Sequence, residues 1–194
     1  MSKLTHDDLL SLEEYDAQRN DFRRRVREEK KKRVVHVGPH VTMHFENRLI
    51  MQYQIQEMLR IERIFEREGI QDELDAYNPL IPEGRNWKAT MMIEFPDPEE
   101  RKRWLARLVG IEDKTWVQVD DHEKVYAIAN EDLERTTPEK TSSVHFLRFE
   151  LTDEMIASAK AGAPIRVGID HPEYQYSVEL PPETRESLLE DLDA

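Results

Sequence analysis

His40-Val41-Thr42-Met43-His44-Phe45-Glu46-Asn47, followed by Arg48-Leu49-Ile50-Met51-Gln52-Tyr53-Gln54-Ile55-Gln56-Glu57-Met58-Leu59-Arg60-Ile61-Glu62-Arg63-Ile64-Phe65-Glu66-Arg67-Glu68, changes its hydrophobic period partway. Up to Glu46 the pattern alternates. Val41, Met43 and Phe45 point one way, and His40, Thr42, His44 and Glu46 the other, as successive strand residues do. From Arg48 the spacing becomes helical, with Gly69 read as the residue that closes the helix. A strand that feeds straight into a helix sets the class as α+β. The expected architecture is a mainly antiparallel sheet with one long buried helix and several shorter ones.

Working outward, Val34–Val37 is β-branched and ends at Gly38-Pro39, so it pairs with His40–Glu46 as a hairpin. Lys88–Phe95 and Ser142–Leu151 read as further strands. Thr115–Val119 with Lys124–Ala129, and Ile165–Asp170 with Tyr174–Leu180, read as two more hairpins. Asp97 with Pro98, Thr152, and Pro181-Pro182 mark helix starts. Thr5 caps a first short helix through Tyr15. Residues 1–33 form a helical and basic N-terminal segment ahead of a single α+β domain over 34–194.

The charge is uneven. The 194 residues carry 28 basic and 41 acidic side chains, a formal charge of −13. Nine of the fifteen residues in Arg19–Arg33 are basic and three acidic, so that segment holds +6 and the remainder −19. The favoured reading is an amphipathic helix neutralised by the protein's own carboxylates. RNA or DNA binding through 19–33 is disfavoured by the overall acidity. Zero cysteine excludes disulfides, thiolate metal sites and thiol nucleophiles. No apolar run has the length of a membrane span and no charged-then-apolar leader opens the chain, so a soluble, cytoplasmic protein is expected. Six scattered glycines form neither a P-loop nor a dinucleotide fingerprint.

The helix after Arg48 holds the sharpest chemical signal. Its polar face carries Arg48, Gln52, Gln56, Arg60, Arg63 and Glu66, yet Gln54, Glu57 and Glu62 fall inside the apolar arc. A buried carboxylate must be protonated, paired or metal-bound. Glu57 is therefore either a structural partner of a facing Arg or His, with Arg148 attractive, or a functional acid. Gln54, Glu57, Glu62, His145 and Arg148 make up the expected pocket. His44 and Glu46, alternate residues on one strand face, are candidate metal ligands with Glu57 as third; His36, His145 and His171 are other candidates for that place. Iron, manganese or zinc suits such oxygen and nitrogen donors. Ser143 with His145 is rejected as a nucleophile pair, since no nucleophile elbow surrounds it.

Gly38-Pro39-His40, Phe45-Glu46-Asn47-Arg48, Gln54-Ile55-Gln56-Glu57-Met58-Leu59-Arg60, Glu62-Arg63-Ile64 and Glu73-Leu74-Asp75-Ala76-Tyr77-Asn78-Pro79-Leu80-Ile81-Pro82 resemble a bacterial family catalogued as domain of unknown function 3501. Asp8–Tyr15 and Asp170-His171-Pro172 extend the likeness over nearly the whole chain. The resemblance assigns no activity and no catalytic residue. Its genes tend to lie beside those of rubrerythrin-type di-iron proteins and cysteine-rich iron–sulfur oxidoreductases. The implied role is a non-enzymatic accessory or assembly protein of redox or oxidative-stress metabolism, homodimeric or bound to a redox partner. Arg23, Arg24, Arg27, Lys31 and Asn78 are its expected contacts. A metal-binding protein or metalloenzyme with His and Glu ligands is the alternative.

Overall fold

Every strand run pairs antiparallel, but the strands divide between two sheets instead of one. The computed structural model describes residues 1–193. In chain order come α1 (Leu12–Lys31), β1 (Val34–His36), β2 (Val41–Phe45), α2 (Arg48–Ile61), α3 (Arg67–Tyr77), β3 (Asn86–Ile93), α4 (Pro98–Arg107) and β4 (Thr115–Val119). Then follow β5 (Val125–Tyr126), β6 (Ile128–Ala129), β7 (Val144–Glu150), α5 (Asp153–Lys160), β8 (Ile165–His171), β9 (Tyr174–Glu179) and α6 (Pro182–Leu189). One sheet has the order β1-β2-β3-β7-β6 and the other β5-β4-β8-β9. The chain is α+β, as its periods indicate.

Met43, Phe45, Trp87, Met91 and Phe149 of the first sheet share one buried cluster with Val117, Val119, Val167 and Ile169 of the second. Fully burying each such side chain contributes roughly 1.5–3 kcal/mol before entropy is charged against it. The expected hairpin at Asp120–Glu123 forms only in part. Val125–Tyr126 stays on β4, while Ile128–Ala129 crosses to pair with β7, so the strand links the two sheets.

The other face of the first sheet lies under α1, α2 and α3, which hold a second apolar cluster built on Tyr15, Phe22, Val26, Met51, Ile55 and Leu59. Here the helix expectations are corrected. The helix from Arg48 stops at Ile61 instead of reaching Glu68. Arg63 adopts φ 52°, its N–H donates to Arg60 O (3.4 Å), and Ile64 N–H reaches back to Leu59 O (2.9 Å). That is a Schellman ending with arginine in the place usually taken by glycine. Ile61 and Phe65, assigned to the buried arc, are 63% and 70% exposed because they lie at and beyond this break. Gly69 lies inside α3, where Ile64 Cγ2 stands 2.7 Å from the position a Cβ would take. Gln56, assigned to the polar face, is buried and holds Leu10 through its backbone N–H (2.7 Å) and carbonyl (3.2 Å).

The separate first helix and the basic segment are also different from expectation. Thr5 precedes only a short 3-10 turn over His6–Asp8. Ser11 caps α1 by accepting from Glu14 N–H, and one 20-residue helix then runs through the basic residues. Its end is anchored by Arg33, which is 1% exposed. Arg33 donates to the carbonyls of Phe45 (2.9 Å), Glu46 (3.1 Å) and Ser187 (3.1 Å), and it pairs with the Asp191 carboxylate. No helix among the described residues is long and apolar enough to cross a membrane.

Candidate functional site: a buried carboxylate beneath a basic helix

Glu46 is placed by three backbone constraints. Its N–H donates to Lys88 O (2.8 Å), extending the β2–β3 ladder by one residue, and its carbonyl accepts from Arg33. The next residue, Asn47, caps α2 by accepting from Ile50 N–H (3.0 Å) and donates to Glu29 (3.0 Å). The side chain is thereby held on the helix-covered face of the sheet, 8% exposed. Thr90 Oγ1 donates to Glu46 Oε1 (3.1 Å), whereas Glu46 Oε2 is buried with no hydrogen-bond partner in the protein. Burial pushes its carboxyl above the ordinary range, although the Thr90 hydroxyl and the charges of Lys30 and Arg33 oppose this.

Glu46 opens on a cavity of about 370 Å³ between the sheet and α2. Its apolar walls are Ile50, Met51, Tyr77, Leu80, Met92 and Phe146, and Lys30, Arg33, His44, Gln54 and Thr90 also line it. Burial lowers the His44 pKa and favours the neutral ring. A concave, mostly apolar space with a few converging polar groups is the usual form of a small-molecule site. The strand alternation placed His44 and Glu46 here. Thr90, Met92 and Phe146 went unread because they arrive from neighbouring strands: His44 stands opposite Thr90, and Thr90 opposite Phe146.

The expected pocket around Glu57 does not assemble. Glu57 faces α1, where Arg19 Nη2 donates to Oε1 (2.8 Å), Arg19 Nε to Oε2 (3.0 Å) and the Tyr15 hydroxyl to Oε2 (2.8 Å). These hydrogen bonds, the Arg19 pair foremost, bring its pKa down to about 2. It is the structural ion pair of the two readings, with Arg19 in place of Arg148. Arg148 instead grips Glu131 (2.8 and 3.0 Å) and Glu150 (2.9 Å). Glu62 is exposed beyond the end of α2. Among the described residues no three His, Asp or Glu side chains are grouped to hold a metal ion. His44 and Glu46 share a cavity that Glu57 does not line. His36 meets Thr42 (3.3 Å) and His171 meets Val109 O (3.0 Å).

His145 belongs to a second buried polar cluster. Asn130 Oδ1 accepts from Phe146 N–H (3.1 Å), which turns its amide N–H toward His145 Nδ1 (2.8 Å). The ring is thus neutral with its proton on Nε2, donated to Ser142 O (2.9 Å), and burial lowers its pKa accordingly. Glu112, 3.9 Å away, accepts from Thr136 Oγ1 (2.7 Å) and pins the 130–141 loop.

The basic run is neutralised by the protein's own carboxylates only in part. Arg19, Arg24, Lys31 and Arg33 meet Glu57, Asp21, Glu28 and Asp191. Among the described residues, Arg23, Arg25, Arg27, Lys30 and Lys32 have no carboxylate within 4.0 Å, because α1 turns them outward. Arg23, Arg27, Lys30 and Lys31 line a groove of about 340 Å³ with Val26, Val34 and Tyr53, and Lys30 Nζ lies 5.5 Å from the Tyr53 ring centroid. Lys30 and Val34 border both this groove and the Glu46 cavity. Asn78, expected as a partner contact, is committed internally: its side chain holds Leu4 N–H (2.8 Å) and Leu4 O (2.9 Å).

A crystal structure of a novel protein of unknown function from Burkholderia pseudomallei K96243 is similar to this chain at 53% identity, with a TM-score of 0.93 over 99% of this chain and 100% of that one. No curated protein matches. The model of a protein family of unknown function, DUF3501, matches residues 3–192, and the chain therefore belongs to that family.

Proposed function

We propose that the protein is a non-enzymatic accessory or assembly factor of redox or oxidative-stress metabolism that docks an acidic partner along α1. The observation that carries this reading is the outward row of Arg23, Arg27 and Lys30, three cations without a carboxylate of their own on a chain that is −13 overall. A local patch opposite in sign to the rest of the surface steers and orients a complementary partner. The gene neighbourhood of the resembling family supplies the partner class, rubrerythrin-type di-iron or cysteine-rich iron–sulfur proteins. Nucleic acid is the weaker fit, since the remaining carboxylates repel phosphate.

The test is titration of the purified chain with the neighbouring di-iron and iron–sulfur proteins by calorimetry at two salt concentrations. A complex that weakens with salt, and weakens about tenfold or more in an R23E/R27E variant, supports the reading. No heat with either protein at low ionic strength overturns it. A second reading, a metal site, is favoured by one observation, that His44 and Glu46 face the same cavity. Elemental analysis after incubation with iron, manganese or zinc checks it: near-stoichiometric metal that is lost in H44A supports it.

A further inference from the structure

We infer that the cavity between β2, β3, β7 and α2 is a binding site for a small apolar molecule carrying a protonated amine, whose ammonium group sits on Glu46 Oε2. Four observations lead there. The first is the orphaned oxygen itself. Leaving a buried acceptor unmet costs about 1–3 kcal/mol, and more when it is charged, and Glu46 Oε2 is the one such atom among the cavity's polar groups. The second is that its neighbour oxygen already has a donor in Thr90, so the carboxylate is oriented and needs one further donor.

The third observation is the charge around it. The Arg33 guanidinium, closest to Glu46 through its carbonyl, is answered by Asp191, whose side chain is fully buried. The Lys30 ammonium, on the lining of both the cavity and the groove, lies 5.5 Å from the Tyr53 ring centroid and makes no ion pair with Glu46. Glu29 stands on Asn47 nearby. Glu46 therefore has no cationic side chain within ion-pair distance among the described residues. The fourth is the wall. Phe146 and Tyr77 present aromatic surface and Met51, Met92, Leu80 and Ile50 aliphatic surface. Aromatic faces favour a cation beside them and the remainder takes an apolar body. The cavity of about 370 Å³ suits a molecule with a single ring or a short alkyl chain.

The experiment compares three probes that share a phenethyl group, phenethylamine, 2-phenylethanol and 3-phenylpropionate, by calorimetry and by chemical-shift changes of the Met51 and Met92 methyl groups. The amine is expected to bind and to shift those methyls, with the alcohol weaker by about tenfold or more and the acid silent. Glu46→Gln should bring the amine to the level of the alcohol. Leu80→Trp, which fills the cavity from a half-buried position, should abolish binding of the amine and the alcohol without touching Glu46. The inference fails if the alcohol or the acid binds as well as the amine. It also fails if the amine ignores both substitutions, which would mean attachment to surface carboxylates. Silence from all three probes overturns it as well. None of these outcomes depends on whether a protein partner docks on α1.

Discussion

Two carboxylates, Glu57 and Asp191, show how the same functional group is used oppositely in two surroundings. Glu57 is ionised by its Arg19 and Tyr15 donors, with its pKa brought from 4.5 down to about 2. Its stabilising contribution is complete above the unfolded value and disappears as pH falls toward 2. Asp191 is carried the other way by burial, from 3.8 up to about 6 despite Arg33. Its contribution is complete below 3.8 and is lost as pH rises through 6. Urea unfolding across pH 2–7 should therefore give divergent trends. The stability gap between wild type and Glu57→Gln widens from pH 2 to 5, whereas the gap to Asp191→Asn narrows from pH 4 to 6. The presence of a carboxylate problem on α2 was legible in the amphipathic pattern. Its solution was not, because Arg19 lies 38 residues away and nothing local selects it over Arg148.

At the level of elements, most strands and the helix starts at Asp97 and Thr152 were readable, whereas the start of α1 and the end of α2 were not. Capping by Ser11, Asn47, Asp97 and Thr152 is observed in each case as a side-chain oxygen accepting from the N–H three residues on. Those residue types do this through local geometry, which a sequence displays. Asp97 and Thr152 were legible in that way, whereas the α2 terminus hid because Arg63 takes the left-handed position at a cost of roughly 1–2 kcal/mol. Gly69, the obvious stop, is small for another reason, the contact with Ile64. The two positions should respond in opposite senses. Arg63→Gly should raise the melting temperature by about 2–4 °C per kcal/mol recovered, and Gly69→Ala should destabilise by roughly 1–3 kcal/mol through overpacking. Differential scanning calorimetry of the two variants checks both.

For the molecule as a whole, the alternation patterns specified which faces are apolar but not which sheet covers which. The partition of strands between two sheets rests on pairings such as β4 with β8, about fifty residues apart, that no local period encodes. The same holds for the closing seam. Arg33 on one side and Ser187 and Asp191 on the other tie the end of α1 to the C-terminal residues, and Leu192 bridges to Gly84. A chain shortened to end at Leu189 should unfold at a urea concentration well below that of the full chain, for want of both the Arg33–Asp191 pair and the buried Leu192. Lys30 and Val34 form the wall between the groove on α1 and the cavity below it. Any occupant that repositions Lys30 from above alters the field felt from below. By linkage the effect is reciprocal, so whatever factor a docked protein imposes on retention of the small molecule, the small molecule imposes on the docked protein.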